Sequence, residues 1–145
     1  MGLFTSFDIA GSGMSAQRLR SDIISQNIAN VTSTRSQNGG PYRRKTVVFA
    51  EKNGNAFGKI LLQARGITGS GVKVTSIVED HDAEMNMVYD PGHPDADENG
   101  YVTYPNVNIV TEMTNMIDSS RAYEANATAF EAAKAMATRG LQIGQ

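Results

Sequence analysis

The stretch Met113–Leu141, MTNMIDSSRAYEANATAFEAAKAMATRGL, places Met113, Met116, Ser120, Tyr123, Ala127, Phe130, Lys134, Ala137 and Leu141 at alternating steps of three and four. That spacing is a heptad seam, the pattern that makes a helix pack along a partner helix. Seven of the nine positions are apolar when Ala and Tyr are counted; Ser120 and Lys134 are the exceptions. Eight alanines between Ala122 and Ala137 raise helix propensity and keep the rod thin enough for several neighbours to approach. Gly is absent from Tyr101 to Arg139. Pro105 and Asn106 suit a helix entrance, Gly140 suits a C-terminal cap, and Arg139 lies favourably for the dipole there. A helix of roughly 32 residues reaches about 48 Å, far beyond an average globular helix of about 11–12 residues.

Working back from this helix, the other end of the chain supplies a partner. From about Met14 to Val31, Leu19 and Ile23, and Ile24 and Ile28, fall at i and i+4 between Arg18, Arg20, Asp22 and Gln26, which predicts an amphipathic helix. Ser12 or Ser15 suits its start, and Asn30 with Thr32, Ser33 and Thr34 suits its exit. All four prolines lie between Pro41 and Pro105. In that middle, Thr46–Ala50, Phe57–Leu62 and Val72–Glu79 read as extended, with Val72, Val74 and Val78 on one face and a hairpin-like turn at Lys52, Asn53, Gly54 and Asn55. Gly66–Gly71 reads as a connection, and Tyr89–Gly100 holds too many breakers for a regular element. The expected class is α+β: long terminal helices pairing as a coiled-coil-like unit (residues 1–35 and 101–145), with a small β and loop insertion (36–100).

Composition narrows the function. Thirteen Lys and Arg against fifteen Asp and Glu give a net charge of −2 over 145 residues, so the basic field of a nucleic-acid binder is missing. Without Cys there is no disulfide framework, thiolate catalysis or Cys-ligated zinc. No apolar run approaches the roughly 20 residues of a membrane-spanning helix. Asp8 interrupts the only stretch resembling a signal-peptide core, so departure from the cytoplasm is expected to need no ordinary cleaved signal.

Three constellations invite a chemical reading. Asp95, Asp97, Asn99 and Gly100 followed by Val102 reproduce the D-x-D-x-N-G opening of a calcium loop. The twelfth position is Asn106 rather than Glu, and Pro91 and Pro94 oppose the incoming helix, so a polar turn with Asp and Asn bonded to backbone N–H groups is the expectation. His81 and His93 among Asp80, Asp82, Asp90 and Asp95 lack helical i, i+4 spacing and read as a solvated acidic loop. Gly11, Gly13 and Ala16 match G-x-G-x-x-A, yet no strand precedes them and no acidic residue follows about 20 positions later. The basic cluster Arg43, Arg44 and Lys45 reads as a solvated strand entrance with room for an acidic neighbour. No enzyme motif, cofactor site or metal site is expected; a calcium module and a helical-hairpin adaptor stand as alternatives.

Three stretches resemble a known family. Ser12–Asn30, SGMSAQRLRSDIISQNIAN, has the S-G-(L/M)-x-A-x-R opening and N-I-A-N ending of bacterial flagellar basal-body rod proteins, shared also by hook proteins. Val88–Asn108, VYDPGHPDADENGYVTYPNVN, is similar to the proximal-rod members, and Glu112–Asn126, EMTNMIDSSRAYEAN, is similar to the family's C-terminal helix motif. The resemblance implies a structural subunit of the periplasmic rod, the drive shaft that transmits torque for motility. It implies self-association, neighbours of the FlgB, FlgF, FlgG and FliE types, and passage through the flagellar type III export apparatus. The helices are then expected to associate through Leu19, Ile23 and Ile28 against Met113, Met116, Ile117, Tyr123, Ala127, Phe130 and Leu141. Asn27 and Asn30 either set register in that seam or end the helix. The loop carrying Asp90, Pro91, His93, Pro94, Asp95, Asp97 and Gly100 becomes a rigid docking arm.

Overall fold

The computed structural model describes residues 3–36, 39–52, 60, 64 and 69–143. Its elements in chain order are α1 (Leu3–Ala29), β1 (Lys45–Glu51), β2 (Val72–Glu79), β3 (Asn86–Tyr89), β4 (Tyr101–Tyr104) and α2 (Ile109–Ile143). The protein is α+β, two long helices with a small antiparallel middle. α1 and α2 contain 27 and 35 residues, and the longer one extends about 52 Å at 1.5 Å per residue.

The helices run antiparallel along a ladder of contacts. Phe7 meets Phe130 with ring centroids 4.8 Å apart. Gly13 faces Asn126 so closely that a Cβ there would stand 2.5 Å from its Oδ1. Ser21 and Ser119 share a hydroxyl hydrogen bond of 2.8 Å, and Asn27 meets Glu112. On α2 the partner-facing positions Glu112, Ser119, Asn126 and Ala133 repeat every seven residues, with Met116, Phe130 and Ala137 between them partly covered. The heptad is therefore present, but half of it is rotated one residue from the apolar expectation. Met113 is 55% exposed, Leu141 points to solvent, and Ser120 and Lys134 are exposed as well. Small and polar side chains occupy the seam because they let the two backbones approach, while hydrogen bonds engage Glu112, Ser119 and Asn126.

Other boundaries differ from expectation. α1 begins at Leu3, not near Met14, so Gly11 and Gly13 lie inside the helix; tertiary packing overrides their low propensity. Neither Ser12 nor Ser15 is a cap. Both donate back to carbonyls in the preceding turn, Ile9 and Gly11, and the Ser12 Oγ also accepts the Val72 N–H, tying β2 to the helix. The exit follows expectation: Asn30 donates to the Gln26 carbonyl and accepts from Ser33 Oγ.

At the other helix, residues 101–104 form strand β4 ahead of the entrance expected at Pro105 and Asn106, and Asn108 instead caps α2. Its Oδ1 accepts the N–H groups of Val110 and Thr111. Gly140 lies within α2, not at a C-terminal cap.

Among the described residues the middle forms two ribbons: β1 pairs with β2, and β3 with β4, each antiparallel. Thr75 is bulged out where the register shifts between Val48 and Phe49, so Val72 and Val74 are half-buried while Val78 faces solvent. The inner face of β1 turns Val47 and Phe49 toward Ile23 and Ile24 of α1, and these four side chains line one cleft with Arg44 and Glu112. The Phe57–Leu62 strand and most of the turn at Lys52–Asn55 lie outside the described residues; Ile60 alone of that strand is described, as helical.

Candidate functional site

The best-built site is a polar staple where α1, the start of β1 and the first turn of α2 converge. Asn27 is wholly buried. Its Nδ2 donates to Glu112 Oε2 at 2.9 Å and to the Lys45 carbonyl at 2.8 Å. Its Oδ1 accepts the Tyr42 hydroxyl at 3.0 Å and the Lys45 N–H at 2.9 Å. Both donors and both acceptor positions of the amide are thereby filled. Asn30, three residues on, only finishes the helix, so the two asparagines have separate tasks.

Glu112 is equally buried, and its charge is answered by Arg44, whose Nε and Nη2 reach Oε1 at 2.9 and 2.8 Å. A buried carboxylate persists only with such pairing. Burial first, then the negative charges of Glu79 and Glu112, raise the Tyr42 phenol above its ordinary value, which keeps it the donor that Asn27 Oδ1 requires. Asn106 completes the joint: its Oδ1 accepts the Arg44 N–H, and its Nδ2 donates to the Asp80 carbonyl at 3.0 Å.

The loop from Asp90 to Gly100 is held by its own acids. Asp97 Oδ1 accepts the N–H groups of Asn99 and Tyr101 at 2.9 and 2.8 Å, and Asp90 Oδ1 accepts that of Gly92. Asp95 takes a hydrogen bond from Thr34 Oγ1 at 2.7 Å and pairs with Arg35, which pins the loop to the segment after α1. His93 Nδ1 accepts the Asp95 N–H, and its ring meets Tyr104 edge-on. Gly100, at φ +81° and packed against Tyr89 and Pro91, closes the turn where a side chain has no room. Asp95 and Asp97 are thus occupied with protein partners, and among the described residues no three His, Cys, Asp or Glu side chains are placed to hold a metal ion. Gly11 and Gly13, inside α1, form no phosphate-cradling turn.

Of the side chains expected at an assembly interface, Ile23 is buried against β1, Leu19, Ile28, Met116 and Ala127 are half-covered, and Phe130 packs on Phe7. Met113, Ile117, Tyr123 and Leu141 are exposed on the single chain. Sequence reading missed Glu112, Tyr42 and Asn106 and gave Arg44 only an unspecified acidic neighbour. One signal was available: a Glu in the first turn of a helix, opposite a basic cluster in a chain that is otherwise antiparallel.

Similarity to known proteins converges on the same ends. Residues 7–35 match the family model described as flagella basal body rod protein, and residues 98–143 match that of the flagellar basal body rod FlgEFG protein C-terminal region. The flagellar basal-body rod protein FlgC of Borreliella burgdorferi is 47% identical across 100% of this chain and 99% of its own length. Those of Bacillus subtilis and Salmonella typhimurium are 45% and 41% identical, with full coverage of both chains. With paired terminal helices, a pinned proline-rich loop and end-to-end similarity in hand, the chain belongs to the FlgC family of flagellar basal-body rod proteins.

Proposed function

We propose that this chain is a structural subunit of the bacterial flagellar basal-body rod, assembling helically through the faces its terminal helices leave uncovered to build the proximal drive shaft in the periplasm. The observation that carries this reading is the outer side of α2. Val110, Met113 and Ile117 are large apolar side chains turned away from α1, each more than half exposed, and Leu141 is exposed where α2 runs past the start of α1. Apolar side chains recurring along one exposed helix face mark a surface that is buried on association. The half-covered Leu19, Ile28, Met116 and Ala127, with Tyr123, complete the interface. Neighbours are further copies and rod proteins of the FlgB, FlgF, FlgG and FliE types. Delivery runs through the flagellar type III export apparatus, for which a chain without cysteine has no disulfide to undo.

The test is a Met113→Lys, Ile117→Lys double variant in a motile bacterium lacking its own copy of the subunit. Both positions are exposed, so circular dichroism and melting of the purified chain stay as in the parent. Basal bodies then lack the rod and the cells do not swim. Normal swimming by the double variant refutes the proposal.

A further inference from the structure

We infer that the outward face of the β3–β4 ribbon docks on the β1–β2 ribbon of a second copy of this chain, a contact additional to the helix faces. The register places Met87 opposite Thr103 and Tyr89 opposite Tyr101 on one face, while Val102 on the other is fully buried. Met87 is 69% and Tyr89 64% exposed, and the Tyr89 and Tyr101 rings meet edge-on at 5.3 Å. An exposed Met and two aromatic rings on a rigid ribbon form an anchor of the kind found at the centre of interfaces.

The charge around this anchor selects its occupant. No Lys or Arg occurs between Lys73 and Arg121, whereas ten Asp and Glu do. Asp82, Glu84, Asp90, Asp97 and Glu98 take part in no salt bridge among the described residues. The β1–β2 ribbon with its flanks, residues 43–52 and 72–79, carries Arg43, Arg44, Lys45, Lys52 and Lys73 against Glu51 and Glu79, with Arg44 paired to Glu112 and Lys45 to Glu79. It shows Val48 and Val78 to solvent, and Lys52 and Lys73 stand at its end without a salt bridge among the described residues. One copy therefore carries both an acid-rimmed apolar face and an apolar face with two lysines, Lys52 and Lys73, at one end. Two unlike patches that fit each other make a heterologous contact, which propagates rather than closes. Opposite rim charges speed and orient such docking.

The inference rests on the rod-subunit reading, and the experiment separates the two. Three variants are compared in the same complemented cells: Glu84→Lys with Glu98→Lys, Lys52→Glu with Lys73→Glu, and all four together. Each charge-reversed pair is expected to lower the yield of assembled rods about tenfold, and the fourfold variant to restore it. Because the chain has no cysteine, Met87→Cys with Lys73→Cys in one chain reports the contact directly, as a ladder of disulfide-linked multimers in isolated basal bodies. Dimers alone from Met87→Cys would make the face self-complementary and overturn the inference. So would failure of the fourfold variant to recover, or a double-cysteine chain that enters rods without cross-linking. If instead the parent chain never enters basal bodies, the rod-subunit reading itself falls.

Discussion

Replacing Asn27 by Ala removes all four hydrogen bonds of an amide that is completely buried. Glu112 keeps Arg44 as a partner, but the Lys45 N–H and carbonyl and the Tyr42 hydroxyl lose theirs. A typical hydrogen bond contributes about 1 kcal/mol net, and a buried group left unsatisfied costs about 1–3 kcal/mol. With two main-chain groups orphaned, the loss is about 4 kcal/mol. For a chain of this size each kcal/mol moves the melting temperature by about 2–4 °C, so the midpoint falls by about 10 °C. Asn30→Ala is the control, since its bonds to Gln26 and Ser33 lie near the surface and their loss costs less than about 1 kcal/mol. Asn27→Asp, nearly the same shape, is expected to be as damaging as Ala because it sets a second carboxylate against Glu112. Urea titration followed by circular dichroism measures all three. If Asn27→Ala unfolds within about 1 kcal/mol of Asn30→Ala, the staple does not hold the helices to β1 as described.

Two glycines in α1 give opposite expectations. Gly11→Ala meets nothing within 4 Å and stabilises by about 0.5–1 kcal/mol through helix propensity, whereas Gly13→Ala drives a Cβ into Asn126 and destabilises. The Gly13→Ala, Asn126→Ala double variant recovers the loss in thermal melts, and equal effects at the two glycines would contradict the close approach. Alkaline pH probes Tyr42. Its pKa is raised in the folded chain, so its contribution is complete below the unfolded value of about 10 and declines as pH rises through the folded value. Denaturation titrations between about pH 9 and 11 should show a stability loss that Tyr42→Phe reduces; an unchanged profile in that variant removes the phenol from the staple.

The exposed apolar residues of α2 show what periodicity alone carries. Spacing of three and four revealed a long helix with a partner, because any side chain repeating with the helical period lies on one face. Which face meets the partner within the chain was decided by closeness. Glu112, Ser119, Asn126 and Ala133 are too polar or too small to attract a hydrophobicity count, and for that reason they let α1 lie against α2. The ends of the elements shifted on the same ground. Gly13 is accommodated inside α1 where Asn126 needs the space of its missing side chain, and residues 101–104 become a strand because β3 offers them a ladder.

From sequence alone came the two terminal helices, the strands at Thr46–Ala50 and Val72–Glu79, the turn-bonded Asp97, and the family signature, since all of these are written in residues near one another. The tertiary structure alone decided that Asn27, Tyr42, Arg44, Asn106 and Glu112 form one staple. Those five are spread over 85 positions, and their hydrogen bonds exist only where the antiparallel helices bring position 27 beside position 112. It also decided that Met113 and Ile117 face outward, because the seam within the chain is filled by side chains small enough for contact, leaving the larger ones uncovered.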